Sequence, residues 1–280
     1  MASVSPELEK GSVPGHRNKP DFLKAFLPNE VVSPNVMRII IAVQVAALLL
    51  LWIRSPFEVL PRPDEVWASF QDLWWKKGLG PELINSFTTN VKALGISMLI
   101  SLVLAYLTVF PFFRPLVTAL SKGRFLGLVG ISFAFAVVIG GGQTLKVSLL
   151  VFGMVVFFVT SMAAVVAEIP KEAYDHARTL RMNEWQVVWE VVILGTFDRA
   201  LEVLRQNAAI GWMMLTMVEG NQRSLGGVGA MMLNEQKYLK LDAVFAIIIC
   251  ILLLGLFQDY MLGIIRRIIC PYAHLTLERR

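Results

Sequence analysis

The sequence predicts an all-α, polytopic membrane protein with about six transmembrane helices. Two observations predict it: 56% of the 280 residues are hydrophobic and only 17% charged, and the apolar residues gather into runs long enough to cross a bilayer. A soluble domain carries about 25% charged residues, so an ordinary water-soluble enzyme is excluded. The two cysteines, Cys250 and Cys270, form neither a disulfide framework nor a zinc spacing, and the three histidines are scattered. The net charge of +5 is spread between apolar segments without a basic, aromatic-laced stripe, which argues against a nucleic-acid partner.

Residues 1–35 are polar, with Pro14, Pro20, Pro28 and Pro34 among mixed charges, and lack the basic-then-apolar order of a cleavable signal. They are expected to be a cytoplasmic tail. Spans follow at about 37–53, 93–110, 125–139, 147–167, 200–218 and 243–265, within a transmembrane region 36–267, and residues 268–280 are expected to form a second cytoplasmic tail. The third span is short and flanked by Gly123 and the run Gly140-Gly141-Gly142, so it and the fifth are the two candidates for interruption or partial burial in protein. The fifth contains Glu202, Arg205, Gln206 and Asn207, so it is expected to face protein or water. With both termini cytoplasmic, sixteen Lys and Arg fall on the inner side and eight on the outer, the bias that orients multi-pass proteins in an inner membrane. In the outer loop 54–90, Val66, Phe70 and Leu73 have helical spacing, and Trp67, Trp74 and Trp75 suit a helix at the membrane interface.

The stretch 168–198 is expected to be a helix, a turn and a helix. Pro170 suits a helix start with Glu172 and Asp175 close behind, Ala173, Ala177 and Leu180 share one face, and Asn183 can cap a second helix carrying Trp185, Val188, Trp189 and Val192. Composition alone fits a surface-lying amphipathic anchor equally well. Gly140 to Lys146 approaches a phosphate-binding loop, but Leu145 stands where the glycine before the lysine is required. No nucleotide site is expected in this chain.

The order Asp175-His176-Ala177-Arg178-Thr179-Leu180 resembles the Glu-Ala-Ala-Arg-Thr-Leu coupling motif of permease subunits in binding-protein-dependent ABC importers. Glu219 at the end of the fifth span, Gly227-Val228-Gly229, Asp242 to Ala246 and Gly255 to Asp259 extend the likeness over roughly residues 56 to 267, nearest the nitrate, sulfonate and taurine permeases. The chain departs from the family pattern at Arg181, where a glycine is expected, at Leu194, where a proline is expected, and in the third span, which lacks the family's prolines. The turn of the hairpin is therefore expected to have moved to Asn183, which tolerates a left-handed conformation better than Arg181.

The resemblance implies the type I ABC importer permease fold, with the segment 168–198 as a cytoplasmic coupling helix pair. It implies a non-enzymatic pore subunit of a bacterial inner membrane, with no cofactor of its own, ATP and magnesium being bound by separate cytosolic ATPases. The implied partners are those ATPases, an extracytoplasmic substrate-binding protein, a second identical or homologous permease, and membrane lipid. Glu172, Asp175, His176, Ala177, Arg178, Leu180 and Arg181 become the expected ATPase-coupling residues, with Asp175 and Arg178 as polar docking contacts and Ala177 giving close approach. Arg205 and Glu219 are candidates for the substrate path, although Glu202 can pair with Arg205 and the sequence supplies no cation for Glu219. The alternatives are an ion-gradient-driven secondary carrier and a non-transporting membrane scaffold.

Overall fold

The computed structural model describes residue 25 and residues 33–55 and 59–271, so the expected tails lie almost wholly outside the described residues. All regular structure among the described residues is helical. The chain divides into two compact units, residues 1–63 and 64–280.

In the first unit, α1 (Pro34–Ile53) starts with proline at a first-turn position, where no amide is needed. It is apolar on every side and none of its residues is buried within the chain. Trp52 Nε1 donates to Pro61 O at 3.0 Å.

The second unit opens with α2 (Pro63–Trp75), a helix where the spacing of Val66, Phe70 and Leu73 led one to be expected. Val66 and Leu73 are buried, and Trp67, Phe70 and Trp74 stack along it with centroids 5.4 and 5.6 Å apart. Next come α3 (Leu79–Leu107), a 3-10 turn at Pro111–Phe113, α4 (Arg114–Lys122), α5 (Leu128–Ile139) and α6 (Gln143–Ala167). The hairpin contains α7 (Lys171–Thr179) and α8 (Glu184–Val187), which continues as a π-helix over Val188–Leu194. Finally α9 (Phe197–Asn221), α10 (Val228–Lys237) and α11 (Leu241–Ile269) complete the unit.

Helix α6 is apolar all round and therefore central: Leu149, Leu150, Met154, Phe158 and Met162 are fully enclosed by α3, α9 and their neighbours. The second span is longer than expected, starting at Leu79 rather than Ala93. Its buried face carries Ser86, Asn90, Ala93, Ser97, Ser101 and Ala105, small or polar residues at three- and four-residue spacing. They let two backbones approach closely, and Ser101 Oγ reaches Val155 O of α6 at 3.4 Å. Larger side chains such as Leu99 and Val103 point outward.

The third span is broken. Pro111–Phe125 and Leu128–Ile139 meet at 114°, without a proline at the break. Gly123 lies against Val156, halfway along α6, and Gly127 faces open space. Helices α1, α3, α6 and α11 are each long and apolar enough to cross a membrane, and the bent pair adds a fifth if it is one span. Helix α9 has comparable length, about 37 Å at 1.5 Å per residue, but with Asp198, Arg199, Glu202 and Arg205 near its start it falls outside that set.

Candidate functional site

The hairpin from Glu168 to Arg199 is closed by its own charges. Arg199 pairs with Glu168 at 3.4 Å across the root. Nearer the tip, the Arg178 guanidinium bridges the arms, with Nε 3.1 Å and Nη2 3.3 Å from the two Glu184 oxygens, and Asp175 is 3.6 Å away. Glu184, and to a lesser degree Asp175, hold the Arg178 proton more firmly than usual.

The turn itself corrects one expectation. Arg181, not Asn183, takes the left-handed conformation, at φ 58°. Met182 N donates to Ala177 O at 3.4 Å and Arg181 N to Arg178 O at 2.9 Å, the bond pair of a Schellman C-cap with Arg181 at the glycine position. Asn183 is extended at φ −74° and caps α8 as expected: its Oδ1 accepts from Gln186 N and its N–H donates to Gln186 Oε1, both at 2.9 Å. Moving the turn to Asn183 would have cost this capping box, which is why it stays at Arg181.

Of the seven expected coupling residues, Glu172, Asp175, His176, Arg178, Leu180 and Arg181 are exposed. Ala177 is not: it is 4% exposed and packs between the arms, beside a cavity of about 430 Å³ shared with His176, Met182, Glu190 and Thr196. Its small side chain lets the hairpin close on itself. Leu180 and Trp185 are 59% and 72% exposed, giving the tip apolar as well as charged surface. Burial pushes the Tyr174 phenol above its ordinary pKa, so it stays neutral.

At the opposite ends of α6 and α9 lies a buried charge pair that sequence reasoning missed. Lys146 Nζ sits 2.7 Å from Glu219 Oε1, and both side chains are 0% exposed. Ser86 Oγ lies 2.7 and 2.9 Å from the two Glu219 oxygens, and Gly229 N donates to Glu219 Oε2 at 2.9 Å. Val228 N donates to Ser86 Oγ at 2.9 Å, and Gly227 N to Glu82 Oε2 at 2.5 Å. The first amides of α10 thus find acceptors on α3 and α9, and two carboxylates face the positive end of the helix. Lys146, expected in an outer loop, is the cation that the sequence did not place for Glu219. The available signal was charge balance: a lone lysine in an apolar helix needs an acid, and Glu219 sits at the matching end of an adjacent span.

Arg205 is also engaged. Its Nε is 2.9 Å from Asp259 of α11, with Glu202 at 3.7 Å, and Arg266 of α11 reaches Glu202 and, at 3.6 Å, Asp198. This ladder joins the hairpin end of α9 to the last part of α11. A third polar cluster lies between α3, α9 and α11, where Asn90 Nδ2 and Trp212 Nε1 both donate to Gln258 Oε1, at 3.1 and 2.8 Å. No group of three or more metal-ligating side chains occurs among the described residues.

The profile of the family described as "Binding-protein-dependent transport system inner membrane component" matches residues 83–269. No curated protein matches the chain. Eleven chains of known structure match it. One, from the MetNI methionine ABC transporter in inward-facing conformations, is 16% identical with a TM-score of 0.48, the match covering 74% of this chain and 98% of that one.

Proposed function

We propose, from the premise that this chain belongs to the family of binding-protein-dependent transport system inner membrane components, that it forms half of the pore of an ATP-driven importer and is driven through the hairpin 168–198. One observation carries this reading. The hairpin joins two long helices at one end of the bundle, is braced by its own ion pairs, and presents Glu172, Asp175 and Leu180 outward, so an external protein can grip it without unfolding it. The second half is another copy or a homologous permease, a soluble binding protein delivers solute on the opposite side, and cytosolic ATPases bind ATP and magnesium. The residues quoted for the resemblance favour a small solute of the nitrate, sulfonate or taurine kind.

In this reading Arg178 braces the coupling hairpin, and exposed Asp175, Glu172 and His176 are the polar contacts offered to the ATPase. Arg205 and Glu219 serve chiefly as structural charges, because each is satisfied by partners within the chain. Affinity purification from native membranes is the test. An ATPase is expected to co-purify and to be lost when residues 172–181 are scrambled. Full uptake by this chain alone, driven by an ion gradient, overturns the proposal in favour of a secondary carrier.

A further inference from the structure

The hairpin also touches a helix other than the two it joins. Its second arm meets the end of α3 and the turn after it: the Thr196 and Tyr106 hydroxyls lie 3.4 Å apart, and the Trp185 and Phe110 rings are 5.7 Å apart between centroids. Phe110 immediately precedes the turn into α4. That turn is held together by Arg114 Nε donating to Thr108 O at 3.0 Å, so a displacement of Phe110 carries the start of α4 with it.

Helix α4 (Arg114–Lys122) is lightly anchored, with one buried residue. Val117 is its buried residue, seated against Val155 and Val159 of α6. Between its first turns and α6 lies a cavity of about 640 Å³, walled by Arg114 and Thr118 on one side, Thr160 and Ala163 on the other, and Tyr174 of α7 below. At its far end is the 114° break between Gly123, packed on the middle of α6, and Gly127, which faces open space. An arm of nine residues, about 14 Å long, therefore has a hinge at mid-depth, free volume along one side, and an aromatic contact with the hairpin at its other end.

We propose that Trp185 and Phe110 form the mechanical joint that transmits hairpin movement to α4 and so opens and closes the broken span about the Gly123 to Gly127 hinge. Trp185 and Phe110 are then positioning residues for transport, touching neither nucleotide nor solute. This rests on the importer reading above.

The test uses the purified complex with its co-purified ATPase, in a background with Cys250 and Cys270 replaced by serine. Spin labels go on exposed positions Ala119 of α4 and Lys92 of α3, and their separation is measured with and without ATP and vanadate. The parent is expected to change distance. Trp185→Ala and Phe110→Ala are expected to abolish the change while ATP hydrolysis persists, and Trp185→Phe, which keeps a ring, to restore it. A role in folding or docking alone would lower hydrolysis and motion together. The joint is overturned if either alanine variant keeps the full distance change, if hydrolysis falls in parallel, or if the parent shows no change. Absence of any co-purifying ATPase instead overturns the importer reading, and the joint with it.

Discussion

A lysine and a glutamate removed from water can be tolerated only together. Lys146 and Glu219 are fully enclosed, and Glu219 also accepts from Ser86 and Gly229. Removing one partner leaves a buried unpaired charge, a loss of about 3–5 kcal/mol. Lys146→Met and Glu219→Gln are each expected to lower the melting temperature in detergent sharply, and the double variant to recover much of the loss. Singles that melt like the parent would show that the pair is solvated. Arg181 offers the opposite case. A side chain in the left-handed region costs about 1–2 kcal/mol, so Arg181→Gly is expected to stabilise the hairpin tip, read as slower amide exchange over residues 177–187. Gly227 tolerates no such freedom in reverse: at φ +104° a side chain would overlap the Glu219 carboxylate.

Among the elements, α8 depends most on a single residue, since only four α-helical residues precede the π-helix. Asn183→Ala removes the capping box and is expected to cost about 1 kcal/mol, seen as faster exchange of amides 184–188 without change elsewhere. That cap was legible because its chemistry is local. The start of α3 was not, because Ser86, Thr89 and Asn90 look like a loop until α6, α9 and α11 are there to pack against them. Ser97→Leu makes α3 more apolar yet is expected to destabilise it by about 1–3 kcal/mol, because the added volume meets Met154 in a filled interface. Thermal unfolding of the variant checks this. Variants at the exposed Leu99 provide the control.

At the scale of the whole molecule, the paired charges and the hairpin fix which ends of α6 and α9 correspond. Lys146 and Glu219 lie together at one end, and the 168–198 segment joins the other, so the hairpin and α10 are at opposite ends of the bundle. Cysteines introduced at Leu180 in the hairpin and at Leu239 after α10, both exposed, are expected to react with an impermeant thiol reagent from opposite sides of the membrane, Leu180→Cys from the cytosol. Labelling of Leu180→Cys from the outer side would remove the transport reading, since no cytosolic motor could reach a hairpin outside. This orientation came from counting lysines and arginines, a property of loops that needs no tertiary structure.

Composition, apolar runs and the order of residues around Asp175 were enough to determine a helical membrane protein, its family likeness, the existence of the hairpin and its Asn183 cap. These depend on solvent partition and on contacts within a few residues, which one dimension records. The Lys146–Glu219 pair, the inward turn of Ala177, the small-residue face of α3 and the place and angle of the break between α4 and α5 were decided by tertiary structure. Each depends on what a distant segment brings within a few ångströms, and a charge or a serine carries no mark of its partner until helices pack.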